Sequence, residues 1–266
     1  MKETNKQLNK RQNDILSLAE KQGYVSVENL ATEFSVTQQT IRRDINYLSD
    51  NEFLVRTHGG AYYSSGVKNF AYNSRKDLAS DEKSEIANAV ANIIPNDSSL
   101  ILNIGTTTER VAESLLSHKG LKVVTNNVNI VNIFAHSDDA KVWLAGGKVR
   151  KADSAVIGED PTYFIKQFKV DYAVVGVAAI GNDGLLMDFD RREVIVSRAI
   201  FESCRKLILV ADDTKFERNA PMVISNISEV DILVTNNLPS PEIIEICNTN
   251  NIEIVIAKDK IGRAHV

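Results

Sequence analysis

Between Thr37 and Asn46 the chain reads "TQQTIRRDIN", a run rich in groups that can bond base edges. Glutamine can bond adenine, and arginine guanine, through two parallel hydrogen bonds when a helix lies in the major groove. On a helical wheel Ile41, Ile45 and Leu48 share one narrow stripe. Gln39, Arg42, Arg43 and Asn46 fall opposite, with Gln38 near the N-terminal end and Thr40 within the same turn. The apolar stripe seats such a helix and leaves its polar face free for bases and phosphates.

A second set of polar residues suits a small anion. Gly105-Thr106-Thr107-Thr108 follows the apolar run "LILNI" and opens a helix, Thr125-Asn126-Asn127 follows "KVV", and Gly146-Gly147 follows "KVWLA". Glycine admits a close approach, while hydroxyls and helix N-terminal amides donate to an anion. Each loop alone is an ordinary turn. Three of them at strand C-terminal ends predict an anion pocket, although the pattern is neither a P-loop nor GxGxxG. Asp188, Asp190, Arg191, Arg192 and Glu193 stand at a helix start, where acids also simply complement the helix dipole. Lys215, just past the strand "KLILVA", is either a partner for a phosphate or sugar oxygen or an ordinary surface lysine.

The elements that must hold these groups are legible from periodicity. Leu8, Ile15, Leu18 and Ala19 mark a first helix closed by Gly23, and Val27, Leu30, Ala31 and Phe34 mark a second with Ser26 as N-cap. Thr37 caps the third, and "LVRTHGGAYY" reads as strand, turn and strand, the wing of a winged helix. Residues 6–61 are thus expected to form a winged helix-turn-helix, its motif over about 25–44, the alternative being a three-helix interaction module. Residues 62–79 lack periodicity and read as a linker. From 80 to 258 helices alternate with apolar strands, which predicts a mostly parallel sheet covered on both faces, with ligands at the strands' C-terminal ends. The tail 261–266, "IGRAHV", breaks from this pattern and reads as non-native.

Composition bounds the function. With 31 Lys+Arg against 35 Asp+Glu the formal net charge is −4, and residues 1–60 hold eight of each sign, so DNA binding must come from arrangement. Cys204 and Cys247 make no disulfide framework, and four histidines lack zinc-ligand spacing. No apolar run reaches the roughly 18 residues of a membrane span, and the polar start is no signal peptide. A cytoplasmic protein without metal, cofactor or membrane partner is expected.

The stretches "GYVSVENLATEFSVTQQTIRRDINYL" and "VRTHGGA" resemble the N-terminal domain of the DeoR family of bacterial repressors. That resemblance implies that Thr37 to Arg43 lie at operator DNA, and that Asp44 braces the helix internally. Asn46 of the same helix and Arg56 and His58 of the wing complete the expected DNA-binding set. Residues from Ser80 to about Lys258 resemble the family's effector domain, similar in fold to ribose-5-phosphate isomerase. By that resemblance Gly105, Thr106 and Thr107 hold a phosphate, Thr125, Asn126, Gly146 and Gly147 line the pocket, and Glu193 and Lys215 stand opposite. Within the family, "NIGTT", "VVTNNVN" and "DGLLMDFDRREV" are similar to members governing glycerol metabolism, which implies glycerol 3-phosphate as the effector that releases the repressor. One departure is Asp213, where many relatives carry histidine; an extra acid there weakens anion binding unless it points outward. The expected fold is α/β: an N-terminal winged helix-turn-helix plus a C-terminal mostly parallel α/β sensor domain, acting as a homo-oligomer with no catalytic residues. Two alternatives are an aldose–ketose isomerase with Glu193 as base and Lys215 as electrophile, and a repressor of the same family answering to another sugar phosphate.

Overall fold

Ser26 and Thr37 each adopt an extended backbone and start a helix. In the structure, a computed structural model, the described residues are 8–22, 24–51, 53–57, 59–63, 80–216 and 220–257. Gly23, His58, most of the expected linker and the tail 261–266 lie outside them. The chain divides into two compact units, Met1–Leu78 and Ala79–Val266.

In the first unit α1 (Lys10–Gln22) leads to β1 (Tyr24–Ser26) and α2 (Val27–Glu33). The Ser26 side chain accepts the Asn29 N–H at 3.0 Å, satisfying a donor that the first helical turn cannot. Ser35, at φ 51°, turns the chain, and Thr37 caps α3 (Gln38–Asp50) by accepting the Thr40 N–H at 3.2 Å. Ile41, Ile45 and Leu48 are buried against Ile15, Leu30 and Leu54, as the wheel predicts. The wing is β2 (Leu54–Thr57) and β3 (Gly60–Tyr63), and β1 adds to β3, giving the antiparallel order β1-β3-β2. Asp44 interrupts the apolar side of α3. Its carboxylate is buried between Arg11 Nε at 2.6 Å and Gln12 Nε2 at 3.2 Å, both from α1.

The second unit runs α4 (Ser80–Ile93), β4 (Ser99–Leu102), α5 (Thr106–Ser114), β5 (Lys122–Thr125), α6 (Val128–Phe134) and β6 (Lys141–Leu144). A hairpin, β7 (Lys148–Arg150) and β8 (Ala155–Ile157), precedes α7 (Glu159–Ile165) and β9 (Val170–Gly176). Then come β10 (Ala179–Ile180), β11 (Leu185–Asp188), α8 (Arg191–Glu202), β12 (Cys204–Val210) and β13 (Met222–Asn226). The unit closes with β14 (Ile232–Thr235), α9 (Pro241–Thr249) and β15 (Glu253–Ile256).

Seven strands form one sheet in the order β15-β14-β12-β9-β4-β5-β6, every pairing parallel. Leu100 and Leu102 pack into one apolar layer with Ile86 and Val90 of α4. Ile101 packs into the other with Val196 and Ile200 of α8. Burial on both faces explains why these strands read as continuous apolar runs. From β4 the chain steps to β5 and β6, then returns to the far side of β4 as β9, so the connections diverge at the C-terminal ends of β4 and β9. The β7–β8 hairpin and a small antiparallel sheet, β10-β11-β13, are not predicted from the sequence, because strands this short carry too little periodicity.

Asp44→Ala leaves the Arg11 guanidinium and the Gln12 amide without their acceptor. We expect the opening free energy of α3, read from amide hydrogen exchange in the full chain, to fall by roughly 1.5–3 kcal/mol. Unchanged protection of α3 would show that the brace contributes nothing.

Candidate functional site

Thr37, Gln38, Gln39, Arg42 and Arg43 are exposed on the first unit, opposite the buried stripe of α3. Arg42 Nη2 donates to Gln38 Oε1 at 3.3 Å, one turn away, and the Thr37 and Thr40 hydroxyls lie 2.9 Å apart. Thr40 is half-buried. Asn46 departs from the expected outward face: it is half-buried and its Oδ1 is a buried atom without a partner among the described residues. Arg56 is exposed on β2, and His58 lies outside the described residues. One face of α3 thus carries two guanidinium and two amide groups in solvent, with about 20 Å of helix behind them.

In the second unit the predicted loops line one edge of the sheet. Gly105 adopts φ 141° and precedes the first turn of α5, whose early N–H groups have no acceptor within the helix. Thr106 and Thr107 are each 8% exposed there, and the Thr108 hydroxyl donates to Gly105 O at 2.8 Å. Thr125 is committed inside the fold: its hydroxyl donates to Leu102 O at 2.7 Å and accepts the Asn127 N–H at 3.0 Å. Asn126 Nδ2 donates to Val156 O at 3.0 Å. Asn127 caps α6, and its Nδ2 reaches Glu109 Oε1 at 2.9 Å. Gly147 has φ 136°, and a Cβ there would lie 3.2 Å from Asp160, Pro161 and Val156, so backbone shape and space both select glycine. Gly146 has open space around it.

Lys215 ends a 3₁₀ turn after β12, Asp213–Lys215, and is half-buried. β9 stands between β12 and β4, so Lys215 and Thr106 leave strands two places apart, roughly 10 Å across the sheet. The extra acid, Asp213, is exposed; Asn237 Nδ2 donates to its Oδ2 at 2.6 Å, and its own N–H donates to Asn236 Oδ1 at 2.8 Å. It is thereby held against the residues after β14.

The centre of charge is a residue that sequence reasoning missed. Arg150, at the end of β7, is 11% exposed in its side chain and meets Asp153, Asp190 and Glu193. Its Nε donates to Asp153 Oδ1 at 2.8 Å, and Nη1 donates to Asp190 Oδ2 at 3.1 Å and to Glu193. Asp190 is also the N-cap of α8, accepting the Arg192 N–H at 3.0 Å, so the dipole-complementing role holds for it. Glu193 instead binds Arg150 across the fold. A signal was available: Arg150 stands three residues past Gly146-Gly147, facing an acid-rich segment of opposite charge. Among the described residues no cluster of His, Cys, Asp and Glu could hold a metal ion.

These acids ionise differently. The Arg192 bond holds Asp190 at about 2 against the pull of burial. Burial, and then the charge of Asp188, pushes Glu193 up to about 7 although Arg150 opposes the shift. Burial would lower the Arg150 pKa, but its bond to Asp153 and the charge of Glu193 outweigh that and raise it. Since folded Glu193 keeps its proton to about 7 rather than 4.5, the fold binds more protons there, and stability is lost as pH rises through that window.

Arg150→Met leaves buried carboxylates unpaired. We expect a loss of about 3–5 kcal/mol in urea denaturation at pH 8, and a smaller loss at pH 5, where Glu193 is already protonated. An equal loss at both pH values would remove Glu193 from the interaction.

Comparison with known proteins places both units. The family model for the DeoR C terminal sensor domain matches residues 78–237, and that for the DeoR-like helix-turn-helix domain matches 11–66. The glycerol-3-phosphate regulon repressor of Escherichia coli (strain K12) is 42% identical over 244 residues, 92% of this chain and 97% of that protein. Its namesake from Haemophilus influenzae is 40% identical over 251 residues, 94% and 98% of the two chains. Ribose 5 phosphate isomerase A from Neisseria gonorrhoeae overlays 53% of this chain and 54% of its own, with 12% identity and a TM-score of 0.39, too distant to bear on chemistry. With its helix-turn-helix and sensor regions both matched, and with repressors similar along nearly its whole length, the chain belongs to the DeoR family of transcriptional repressors.

Proposed function

We propose that this repressor is released from its operator by a small phosphorylated metabolite, glycerol 3-phosphate, bound at the C-terminal edge of the seven-stranded sheet. One observation carries the proposal: Gly105 delivers the buried N-terminal turn of α5 to the point where the chain reverses direction across the sheet. A helix N-terminus favours a bound anion through its unpaired N–H groups and its dipole. The resemblance to glycerol-3-phosphate regulon repressors supports the choice of ester.

In this site Gly105, Thr106 and Thr107 take the phosphate, and Lys215 approaches it from β12. Asn126, Gly146 and Gly147 bound the pocket on the β5–β6 side. Thr125 shapes it from beneath, since its hydroxyl holds the start of α6. Glu193 lies across the crevice, paired with Arg150. That pairing favours binding over catalysis, because a carboxylate that accepts from a guanidinium is poorly placed to take a proton from a substrate carbon. A Glu193 turned onto Arg150 thus supports a sensor rather than an isomerase.

On the first unit Thr37, Gln38, Gln39, Thr40, Arg42 and Arg43 face the operator, with Asn46 further along α3 and Arg56 and His58 on the wing. The partner is operator DNA, the protein is cytoplasmic, and a homo-oligomer reads repeated half-sites. The effector must bind the DNA-weak form more tightly than the DNA-bound form, since equal affinity for both shifts nothing.

Two outcomes test these assignments. Arg42→Ala and Gln39→Ala should each weaken operator binding by about 1–3 kcal/mol without loss of folding, as read in gel shifts across salt concentrations; unchanged specific binding in both would displace α3 from the DNA. Lys215→Ala and Thr106→Val should bind operator as wild type does yet resist release by glycerol 3-phosphate. The lost charge-assisted bond is worth roughly 1.5–3 kcal/mol, which weakens effector binding about tenfold to a hundredfold. Release of both variants at the wild-type concentration would move the phosphate elsewhere.

A further inference from the structure

Polar atoms left over at the C-terminal edge of the sheet, among the described residues, include Thr235 Oγ1 at the end of β14 and Asn126 Oδ1 beside the first turn of α5. The second adjoins the proposed phosphate site. Asn126 is 1% exposed and directly follows β5, which pairs with β4 in the register Leu102↔Thr125. Nδ2 donates to Val156 O on β8 at 3.0 Å, and because only the nitrogen can donate, that contact settles the orientation of the amide. Oδ1 is buried and has no partner among the described residues. A buried carbonyl oxygen without a partner calls for an explanation.

The donors around it are already used. The Asn127 N–H goes to Thr125 Oγ1, the Val128 N–H to Ser154 O at 3.1 Å, and the Val156 N–H to the carbonyl oxygen of Asn126 itself at 2.7 Å. The Nδ2 atoms of Asn127 and Asn129 both donate to Glu109 Oε1, at 2.9 and 3.0 Å. A partner for Oδ1 must donate, and none among the described residues does so. A phosphate dianion offers only acceptors.

We propose that Asn126 Oδ1 accepts a hydrogen bond from a hydroxyl of the bound effector, so that the site selects phosphate monoesters of polyols over bare phosphate and over esters without hydroxyls. The inference rests on the effector site proposed above, with the phosphate at Gly105–Thr107. β4 and β5 are neighbours about 5 Å apart, a separation that a short phosphate ester spans. The anion goes to the N-terminus of α5, and the neutral hydroxyl donor to Asn126 Oδ1. An ester without the hydroxyl leaves a buried acceptor unpaired, which is the strongest way a site rejects a close analogue.

Calorimetric titration of the full chain with glycerol 3-phosphate, n-propyl phosphate and inorganic phosphate tests this. Wild type should bind glycerol 3-phosphate at least about tenfold more tightly than propyl phosphate. Asn126→Ala should bring that ratio to within about twofold, leaving propyl phosphate within about threefold of its wild-type affinity. Asn126→Asp, which keeps an acceptor oxygen, should retain the preference. Wild type should bind the O-methylated ester of glycerol 3-phosphate, which cannot donate, no better than propyl phosphate. Equal binding of the methylated and free esters overturns hydroxyl donation even if the alanine variant fails to fold. Equal binding of the two esters by wild type, or an undiminished preference in Asn126→Ala, overturns hydroxyl recognition and leaves the effector site standing. Failure of all three probes to bind wild type overturns the effector site itself, and this inference with it.

Discussion

A parallel sheet with helices on both faces has only its two ends at which to keep polar groups. Leu100 and Leu102 enter one apolar layer of the second unit and Ile101 the other, so neither face of β4 is free to line a site. Polar residues collect where the strands stop: Gly105 to Thr108 after β4, Asn126 and Asn127 after β5, Gly146 and Gly147 after β6, Asp212 to Lys215 after β12. The order of strands then decides which of these ends diverge. Because the chain leaves β4 toward β6 and comes back as β9, the opening lies beside α5, the helix whose first turn carries three threonines.

A single side chain links this edge across the unit. The β7–β8 hairpin lies over the end of β5, with main-chain bonds from Val156 N–H to Asn126 O and from Val128 N–H to Ser154 O. Arg150 then ties the hairpin to α8 through Asp190 and Glu193. Three carboxylates surround one guanidinium, and burial is what makes the excess of acid matter: Asp190, bonded to Arg192, stays ionised, whereas Glu193 is pushed toward neutrality.

The first unit solves a different problem with the same economy. α3 must be held firmly by one face while the other stays in solvent. Ile41, Ile45 and Leu48 provide the apolar hold, and Asp44, a charged residue inside that stripe, provides a directional one by bonding Arg11 and Gln12 of α1. Hydrophobic contact alone leaves a helix free to rotate or slide by small amounts. A buried carboxylate with two donors on a neighbouring helix does not, so the register of Gln39, Arg42 and Arg43 relative to the rest of the unit is set.

Wherever a property depends on near neighbours in the chain, the sequence by itself determined it. The caps at Ser26 and Thr37, the stripe of α3, the glycine turn at Gly105 and the alternation of apolar strands with helices all follow from spacing of a few residues, and all are found as read. What required the tertiary structure involves partners far apart along the chain. Arg150 meets Glu193 across 43 residues and Asn126 meets Val156 across 30, separations over which no periodicity operates. The hairpin that makes both contacts is built of three-residue strands, too short to alternate visibly. The same limit misplaced Asn46, which a wheel puts outward but packing half-buries, since a wheel orders the faces of one helix and cannot say what covers them.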